Sequence, residues 1–368
     1  MKIEIIGNKT IDLNTKKDLI DLEHIESKSL IPLANKGLLV KGNNLEVMVS
    51  LLGEYKGKID LIYIDPPYLT GLDFKTKDGN FAYSDKFTKE GYLQFIYERL
   101  YVMRELLSDI GSIYVHVDQR TSHYLRFILD NLFGEENFKN EIIWLRSSSG
   151  KTTSKNFSRD TDSILFYSKY SNYTFNKTFQ PLSDSTISMY SMDDHNGRGK
   201  YRLYPLQKTS SPGPQTLYDY IDNNGKIWLC PKKGWRMKQD KLKSLENDNR
   251  LYLIGNTLQE KAYWNEREND GKLANNLWND IPNLQGNAIE ILGYPTQKPE
   301  ALLERIIKAS SNEGDLVADF FAGSGTTLAV SQKLNRNWIG VDLGDESIKT
   351  IKERMINLDA TFDVKELE

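Results

Sequence analysis

Ile59-Asp-Leu-Ile-Tyr-Ile64 is an apolar run of strand length, and Asp65-Pro66-Pro67-Tyr68 stops it abruptly. Proline cannot donate to a strand ladder, so two in succession force the chain out of its sheet at this point. The neighbouring pattern sets the kind of sheet. From Gly37 to Asp118 strands and helices alternate: Leu38–Lys41, a helix over 44–53, the strand over 59–64, a loop to about 88, a helix over 89–108 and a strand over 112–117. A helix over 121–133 and the strand-like Glu141–Trp144 continue the series. Such alternation predicts an α/β fold with an open, mainly parallel sheet, helices on both faces and ligands at the carboxyl ends of the strands.

Asp65-Pro66-Pro67-Tyr68 suits the holding of one planar amino group. The exocyclic amine of a nucleobase is a poor nucleophile, because its lone pair is delocalised into the ring. A catalyst must accept both N–H hydrogens in directions that draw the nitrogen toward tetrahedral geometry. Asp65 is one acceptor, the Pro66 carbonyl, aimed by two rigid residues, is the second, and the Tyr68 ring offers a face on which a base can stack. Read alone, the tetrapeptide is equally a chain stop with an Asp capping the following turn.

A second motif lies near the other end of the chain. Asp315-Leu-Val-Ala-Asp319 reads as a short strand and runs into Phe320-Phe321-Ala322-Gly323-Ser324-Gly325-Thr326-Thr327, with a helix following to about Leu334. The glycines permit a tight strand-to-helix turn and close approach of a ligand, while Asp342, ending the strand-like Asn337–Asp342, fits the carboxylate that binds ribose hydroxyls. A dinucleotide-binding turn wants Gly at the sixth position, where this chain has Leu328, and Asp319 would repel a pyrophosphate. A cationic ligand suits the turn better. Upstream, Thr296-Gln297-Lys298-Pro299 leads into an amphipathic helix over Glu300–Ser310, for which Thr296 is an N-terminal signal.

These two motifs resemble those of the β class of S-adenosylmethionine-dependent DNA amino-methyltransferases, in which the catalytic motif precedes the cofactor motif. The resemblance covers nearly the whole chain and includes Gly42-Asn43-Asn44-Leu45-Glu46, Gly111–Asp118, His123-Tyr-Leu, Leu132–Asn137 and Gly234-Trp235-Arg236. It is nearest to modification subunits of type III restriction systems and their free-standing relatives, which also carry Thr-Gly, here Thr70-Gly71, one residue after the tetrad. It implies a Rossmann-like class I methyltransferase fold with permuted motif order and an inserted target-recognition region. The activity implied is methyl transfer to N6 of a flipped adenine in double-stranded DNA, with Asp65, Pro66, Pro67 and Tyr68 catalytic. The implied cofactor residues are Thr296, Gln297, Lys298, Asp319, Phe320, Phe321, Ala322, Gly323, Ser324, Gly325, Thr326 and Asp342. Among them Asp319 would pair with the ammonium and Lys298 with the carboxylate of the methionine portion. Position 43 is usually an acid in these relatives, so Asn43 implies altered cofactor affinity.

Asp at 65 favours adenine, since the family's cytosine-N4 enzymes more often carry Ser there and its protein-glutamine enzymes Asn. Cytosine N4 and an inactive DNA-binding specificity subunit are the alternatives. A nicotinamide dehydrogenase would need the missing sixth-position Gly. His116 and Asp118 lie beside the expected site, where a packed histidine and a turn-capping aspartate serve equally well. The polar segment Thr70–Thr88 is expected to order as a loop over cofactor and base.

The organisation expected is an N-terminal arm of polar helix and loop over 1–36, a catalytic half over 37–145, a target-recognition and DNA-binding region over 146–285 and a cofactor-binding half over 286–368. Between 146 and 285 there are 21 Lys and Arg against 15 Asp and Glu, leaving 27 against 36 elsewhere. A basic middle on an acidic body fits phosphate contact, although solvated loops give the same imbalance. Lys151, Lys155, Lys232, Lys233, Trp235 and Arg236 are the candidate DNA contacts, with surface packing as the alternative for Trp235. The single cysteine, Cys230, excludes an intramolecular disulfide, and no Cys–His cluster has metal spacing. No long apolar segment or cleavage-like site is found, so a soluble, cytoplasmic protein is expected. A homodimer and a restriction subunit are the partners the resemblance implies. The helix from Glu346 to Leu358 and its acidic tail are expected to cover the sheet edge.

Overall fold

The computed structural model describes residues 2–5, 9–12, 36–147, 155–210, 213–267, 271–286 and 288–367. At the N-terminus β1 (Lys2–Ile5) and β2 (Lys9–Asp12) pair antiparallel, with Lys2 opposite Asp12. At these residues strands stand in place of the expected helix and loop, in keeping with the β-branched residues at 3, 5, 10 and 11, and 13–35 of that expected arm lie outside the described residues. The alternating part follows as β3 (Gly37–Lys41), α1 (Asn44–Tyr55), β4 (Ile59–Ile64), β5 (Asp73–Lys75), β6 (Phe81–Ser84) and α2 (Lys89–Leu106). It continues through β7 (Leu107–Val117), α3 (Ser122–Phe133), β8 (Phe138–Leu145) and β9 (Thr161–Ser168).

A second compact unit occupies Phe179–Leu273. It contains β10 (Phe179–Gln180), α4 (Asp184–Ser188), β11 (Tyr201–Pro205), β12 (Tyr220–Ile221), β13 (Ile227–Trp228), α5 (Gln239–Asn247), β14 (Leu251–Ile254), β15 (Thr257–Tyr263) and β16 (Lys272–Leu273). Its centre is the antiparallel sheet β11-β15-β14. The chain then returns to the first unit through β17 (Leu277–Trp278), α6 (Glu300–Ser310), β18 (Leu316–Asp319), α7 (Thr326–Lys333), β19 (Asn337–Asp342), α8 (Asp345–Ile356) and β20 (Phe362–Glu366). Among the described residues no helix is long and apolar enough to cross a membrane.

The first unit is built on a nine-stranded sheet in the order β17-β8-β9-β7-β4-β18-β19-β3-β20. β9 runs antiparallel to both neighbours, and the remaining pairs are parallel. β9 and β17 fall within 146–285, the span read from the sequence as the target-recognition region, yet belong to the main sheet. Helices cover both faces, which explains why β4 is apolar at nearly every position. Its Ile59, Ile62 and Ile64 pack with Val47, Met48, Ile96 and Leu100 of α1 and α2. Leu61 and Tyr63 point the other way, toward Leu302, Leu303, Ile306 and Ile307 of α6.

The acidic tail does not lie over the sheet edge. It forms β20, which extends the sheet by pairing parallel with Gly37–Lys41. At Gly37 an added Cβ would lie 2.1 Å from Cζ2 of the buried Trp338 indole, a rigid ring with no room to retreat. Gly37→Ala is expected to destabilise the protein by about 2 kcal/mol through overpacking. A denaturant melt of that variant checks this.

Decisive for function is the pairing of β4 with β18, in which Leu61 faces Val317 and Ile62 faces Ala318. The two motif-bearing strands lie side by side although some 250 residues apart in sequence, so Asp65 and Asp319 emerge from the same end of the sheet.

Candidate active site

A cavity of about 910 Å³ opens at the carboxyl ends of β3, β4, β18 and β19, entirely within the first unit. Asp65, Pro66, Pro67 and Tyr68 line it, as do Thr296, Gln297 and Lys298. So do Asp319, Phe320, Phe321, Ala322, Gly323, Ser324, Thr326 and Asp342. Gly325 contributes differently. It is left-handed, with φ of 71°, and a Cβ there would lie 2.8 Å from Ile351 Cγ1, so its role is to let α7 approach α8.

The turn after β4 is held by a residue that the sequence did not single out. Asp85, 1% exposed, accepts hydrogen bonds from the backbone N–H groups of Tyr68 (3.2 Å), Leu69 (2.9 Å) and Thr70 (2.9 Å) and from the Thr70 hydroxyl (2.6 Å). Leu69 sits in the left-handed region at φ 59°, which an L-residue keeps only when its surroundings over-determine it. The Asp85 carboxylate supplies that constraint. Asp65 itself meets the Tyr68 hydroxyl through one oxygen and the Lys298 ammonium through the other. Burial, and then the charge of Asp65, hold the Tyr68 hydroxyl far above its ordinary pKa, so it remains a donor. Among the described residues no donor meets the Pro66 carbonyl, which leaves it free to accept.

On the β18 side, Asp319 is buried and accepts from Phe321 N–H (3.0 Å) and the Thr327 hydroxyl (2.5 Å). Burial, with the neighbouring charges of Asp65 and Asp342, raises its pKa to about 7. The turn beyond it is left-handed at Gly323, φ 52°, whose N–H donates to Asp342 Oδ2 at 2.8 Å. The other Asp342 oxygen accepts from Gly344 N–H at 2.9 Å, and burial raises this carboxyl too. Arg354 of α8 supports the same turn, donating to the Ser324 carbonyl (3.0 Å), to the Thr326 hydroxyl (3.1 Å) and to Glu300 (2.8 Å).

The segment Thr70–Thr88, expected as a loop, contains the β5–β6 hairpin, because Phe74 and Tyr83 stack across it at 4.7 Å. It is tied down by Lys77 N–H to the Gly293 carbonyl (2.9 Å), by Asn80 to Glu346 (2.9 Å) and by the Tyr83 and Thr296 hydroxyls (3.3 Å). Thr296 does not start α6, which begins at Glu300. It is a left-handed residue, φ 57°, turned toward that hairpin. Asn43 caps α1, and Asn44 donates to the Phe320 carbonyl at 2.8 Å. Both asparagines accept from the buried Arg99, which lies over the Phe95 ring.

A family model described as DNA methylase, covering N6 and N4 enzymes, matches residues 59–353. The chain belongs to this DNA methylase family. It is 35% identical over 301 residues to the type II methyltransferase M.EcaI of Enterobacter cloacae, covering 81% of this chain and 64% of that one. It is 31% identical over 355 residues to the type III restriction-modification enzyme StyLTI Mod subunit of Salmonella typhimurium, covering 86% of this chain and 52% of that one. The chain thus spans between half and two thirds of the length of these relatives. A crystal structure of the M1.HpyAVI–SAM complex aligns with a TM-score of 0.46 at 18% identity, over 87% of this chain and 98% of that one.

The residues of this methylase chain read as DNA contacts fare unequally. Trp235 is 2% exposed, packs with Leu206, Tyr220, Leu242 and Leu245, and donates to the Tyr218 carbonyl at 2.8 Å. It is a core residue of the second unit, so its side chain is not a DNA contact. Gly234 beside it, φ 77°, has no room for a Cβ, which would lie 2.5 Å from the Thr216 carbonyl oxygen. The Gly234-Trp235-Arg236 block is therefore structural in its first two members. Lys155, Lys232, Lys233 and Arg236 are exposed. Lys151 lies outside the described residues.

Proposed function

We propose that this chain transfers a methyl group from S-adenosylmethionine to N6 of an adenine flipped out of double-stranded DNA at a specific sequence. The observation that carries the reading is the convergence of Asp65 and Pro66 with Asp319 and Asp342 in one cavity, on neighbouring strands. The cavity fits the cofactor: its size is that of a ligand pocket, its glycine turn admits close approach, and its buried carboxylates favour a cation over a pyrophosphate. When bound, S-adenosylmethionine supplies a methyl group on a positively charged sulfur.

The chain's own residues supply acceptance and orientation. Asp65 and the Pro66 carbonyl take the two hydrogens of the amine and draw its lone pair out of conjugation. Tyr68 must release Asp65 to do so, and its ring then stacks on the extruded base in place of the lost duplex neighbours. Lys298 lines the cavity, meets Asp65 and the Thr296 carbonyl (3.3 Å) through its ammonium, and is assigned the methionine carboxylate. Asp319 is assigned the ammonium and Asp342 the ribose. Asp rather than Ser at 65 supports adenine over cytosine. The unit at 179–273, with exposed Lys232, Lys233 and Arg236, is assigned to target recognition. A second copy of the chain and a restriction subunit are further partners suggested by the family.

Transfer of label from S-adenosylmethionine to unmethylated genomic DNA, followed by single-molecule sequencing, tests this. N6-methyladenine in one recurring motif is expected. N4-methylcytosine would overturn the base assignment, and no transfer the activity.

Asp319 makes cofactor binding depend on pH. Between the ordinary 3.8 of an unfolded aspartate and about 7, the folded state holds a proton that the unfolded state has lost. Raising the pH through that window weakens the ligand-free fold. An ammonium beside Asp319 favours the ionised form, so cofactor affinity is expected to rise as the pH approaches 7, with proton release below it. Calorimetry in buffers of different ionisation heat checks this, and Asp319→Asn should abolish the proton release.

A further inference from the structure

The loop that joins β8 to β9 lies at the same end of the sheet as the cavity, and it carries an aromatic ring that the fold does not use. Phe157 is 99% exposed. Exposure alone is ordinary for a single surface residue, so its setting decides the matter. β9 runs antiparallel to β7, with Val117 opposite Ser163, so β9 begins at the end where β4 and β7 finish. β8 ends there too, with Leu145 opposite Thr161. β7 alone stands between β4 and β9, which puts the start of β9 about 10 Å from the end of β4, where Asp65 follows. All of these residues belong to the first unit.

The root of this loop is tied to the cavity wall. The N–H groups of Arg146 and Ser147 donate to the Asp160 carbonyl at 2.9 and 3.2 Å, prolonging the β8–β9 ladder. The Arg146 guanidinium donates to the Arg159 carbonyl at 2.9 Å and to Asp162 at 3.1 Å. Asp162 Oδ2 lies 3.4 Å from His116 Nε2, and His116 Nδ1 lies 2.9 Å from the hydroxyl of Tyr63, which lines the cavity. Charge favours an anionic partner. Lys155 and Arg159, each two residues from Phe157, are exposed, and among the described residues neither has a carboxylate partner. Arg159 meets the Gln119 side chain at 2.6 Å, with that amide turned so that its oxygen accepts. The nearby carboxylates are engaged within the loop root, Asp160 with the Ser158 hydroxyl and Asp162 with Arg146. Two cations on either side of an exposed ring suit a duplex, whose phosphates take the charges and whose bases take the ring.

We propose that Phe157 is the side chain that enters the duplex where the target base leaves it, with Lys155 and Arg159 on the flanking phosphates. This rests on the methyl-transfer reading given above and extends it to how the base is opened. Extrusion leaves the neighbouring bases without a stacking partner, and an apolar side chain placed between them offsets part of that cost. The ring acts on the duplex rather than on the reacting amine, so its contribution is large where the target base is paired and small where it is not.

The test uses a duplex carrying the motif that sequencing of methylated genomic DNA returns, once fully matched and once with an abasic position opposite the target base. Single-turnover rates are compared for wild type, Phe157→Ala, Phe157→Trp and Asp65→Ala. Phe157→Ala should slow transfer on the matched duplex about tenfold, equivalent to about 1.4 kcal/mol of lost stacking. On the abasic duplex, where opening costs less, it should run within about twofold of wild type, a rescue that a merely structural role would not give. Phe157→Trp should keep the matched rate, and the unfolding midpoint of Phe157→Ala should be that of wild type, because the ring is exposed. Lys155→Ala/Arg159→Ala should weaken binding to unmethylated genomic DNA and reduce the slope of log affinity against log salt by about two. A wild-type rate for Phe157→Ala on the matched duplex, as expected if Phe157 meets another protein, overturns the proposal, as does an equal loss on both duplexes. Either result leaves the methyl-transfer reading standing. An unchanged salt slope removes Lys155 and Arg159 from the phosphates. No transfer by the wild type, or full activity in Asp65→Ala, overturns that reading and the proposal with it.

Discussion

Asp65→Ala is expected to lower the single-turnover rate of methyl transfer by about a thousandfold while cofactor affinity changes little, as when a group aimed at transition-state charge is removed. The target amine gains nucleophilicity only as its lone pair leaves the ring, and that requires an acceptor in line with each N–H. Alanine leaves the Pro66 carbonyl alone, and one acceptor cannot enforce the geometry. The substitution also frees Lys298 and the Tyr68 hydroxyl, both of which meet Asp65 in the structure. Their release costs local order, while Asp319, Gly323 and Asp342 keep the hydrogen bonds that hold their turn. Rapid-quench methylation with calorimetry on the same preparation separates the two effects. Loss of cofactor binding together with transfer would show that Asp65 serves mainly to hold Lys298 in place.

Asp85→Ala is expected to cost about 3 kcal/mol of stability, because half-buried donors lose the one buried acceptor that they share. The donors are three consecutive backbone N–H groups and the Thr70 hydroxyl, all bound to the one carboxylate. Without it Leu69 has no reason to remain left-handed, and the Tyr68 ring loses its mount. Transfer should therefore fall more steeply than stability alone explains, even at temperatures where the variant is fully folded. Denaturant unfolding and single-turnover rates measured side by side decide the matter. An unchanged unfolding midpoint would remove Asp85 from this role.

Much of the architecture was legible because it is written locally. The apolar run before Asp65-Pro66-Pro67-Tyr68, the paired glycines after Asp319 and the alternation of strand and helix signals each depend on a few neighbouring residues. They place both motifs at strand ends. The errors have equally local causes. The Thr70–Thr88 segment is polar and carries glycines, so its hairpin is visible only once Phe74 stacks on Tyr83. Thr296 has the composition of a helix cap, yet Pro299 and Glu300 begin the helix. Trp235 sits among lysines in sequence but in a core in space, because a neighbouring residue in the chain need not share its surroundings.

The sequence by itself marked the two motifs, the α/β class and the family, since proline, glycine and strand or helix periodicity act over short range. Tertiary structure alone decided which distant groups meet: β18 beside β4, Lys298 on Asp65, Asp85 beneath the turn after β4, and Asp162 and Arg146 behind His116. Those contacts join residues from 15 to more than 200 positions apart. They are set by the order in which strands enter one sheet, and that order is a property of the whole core rather than of any segment.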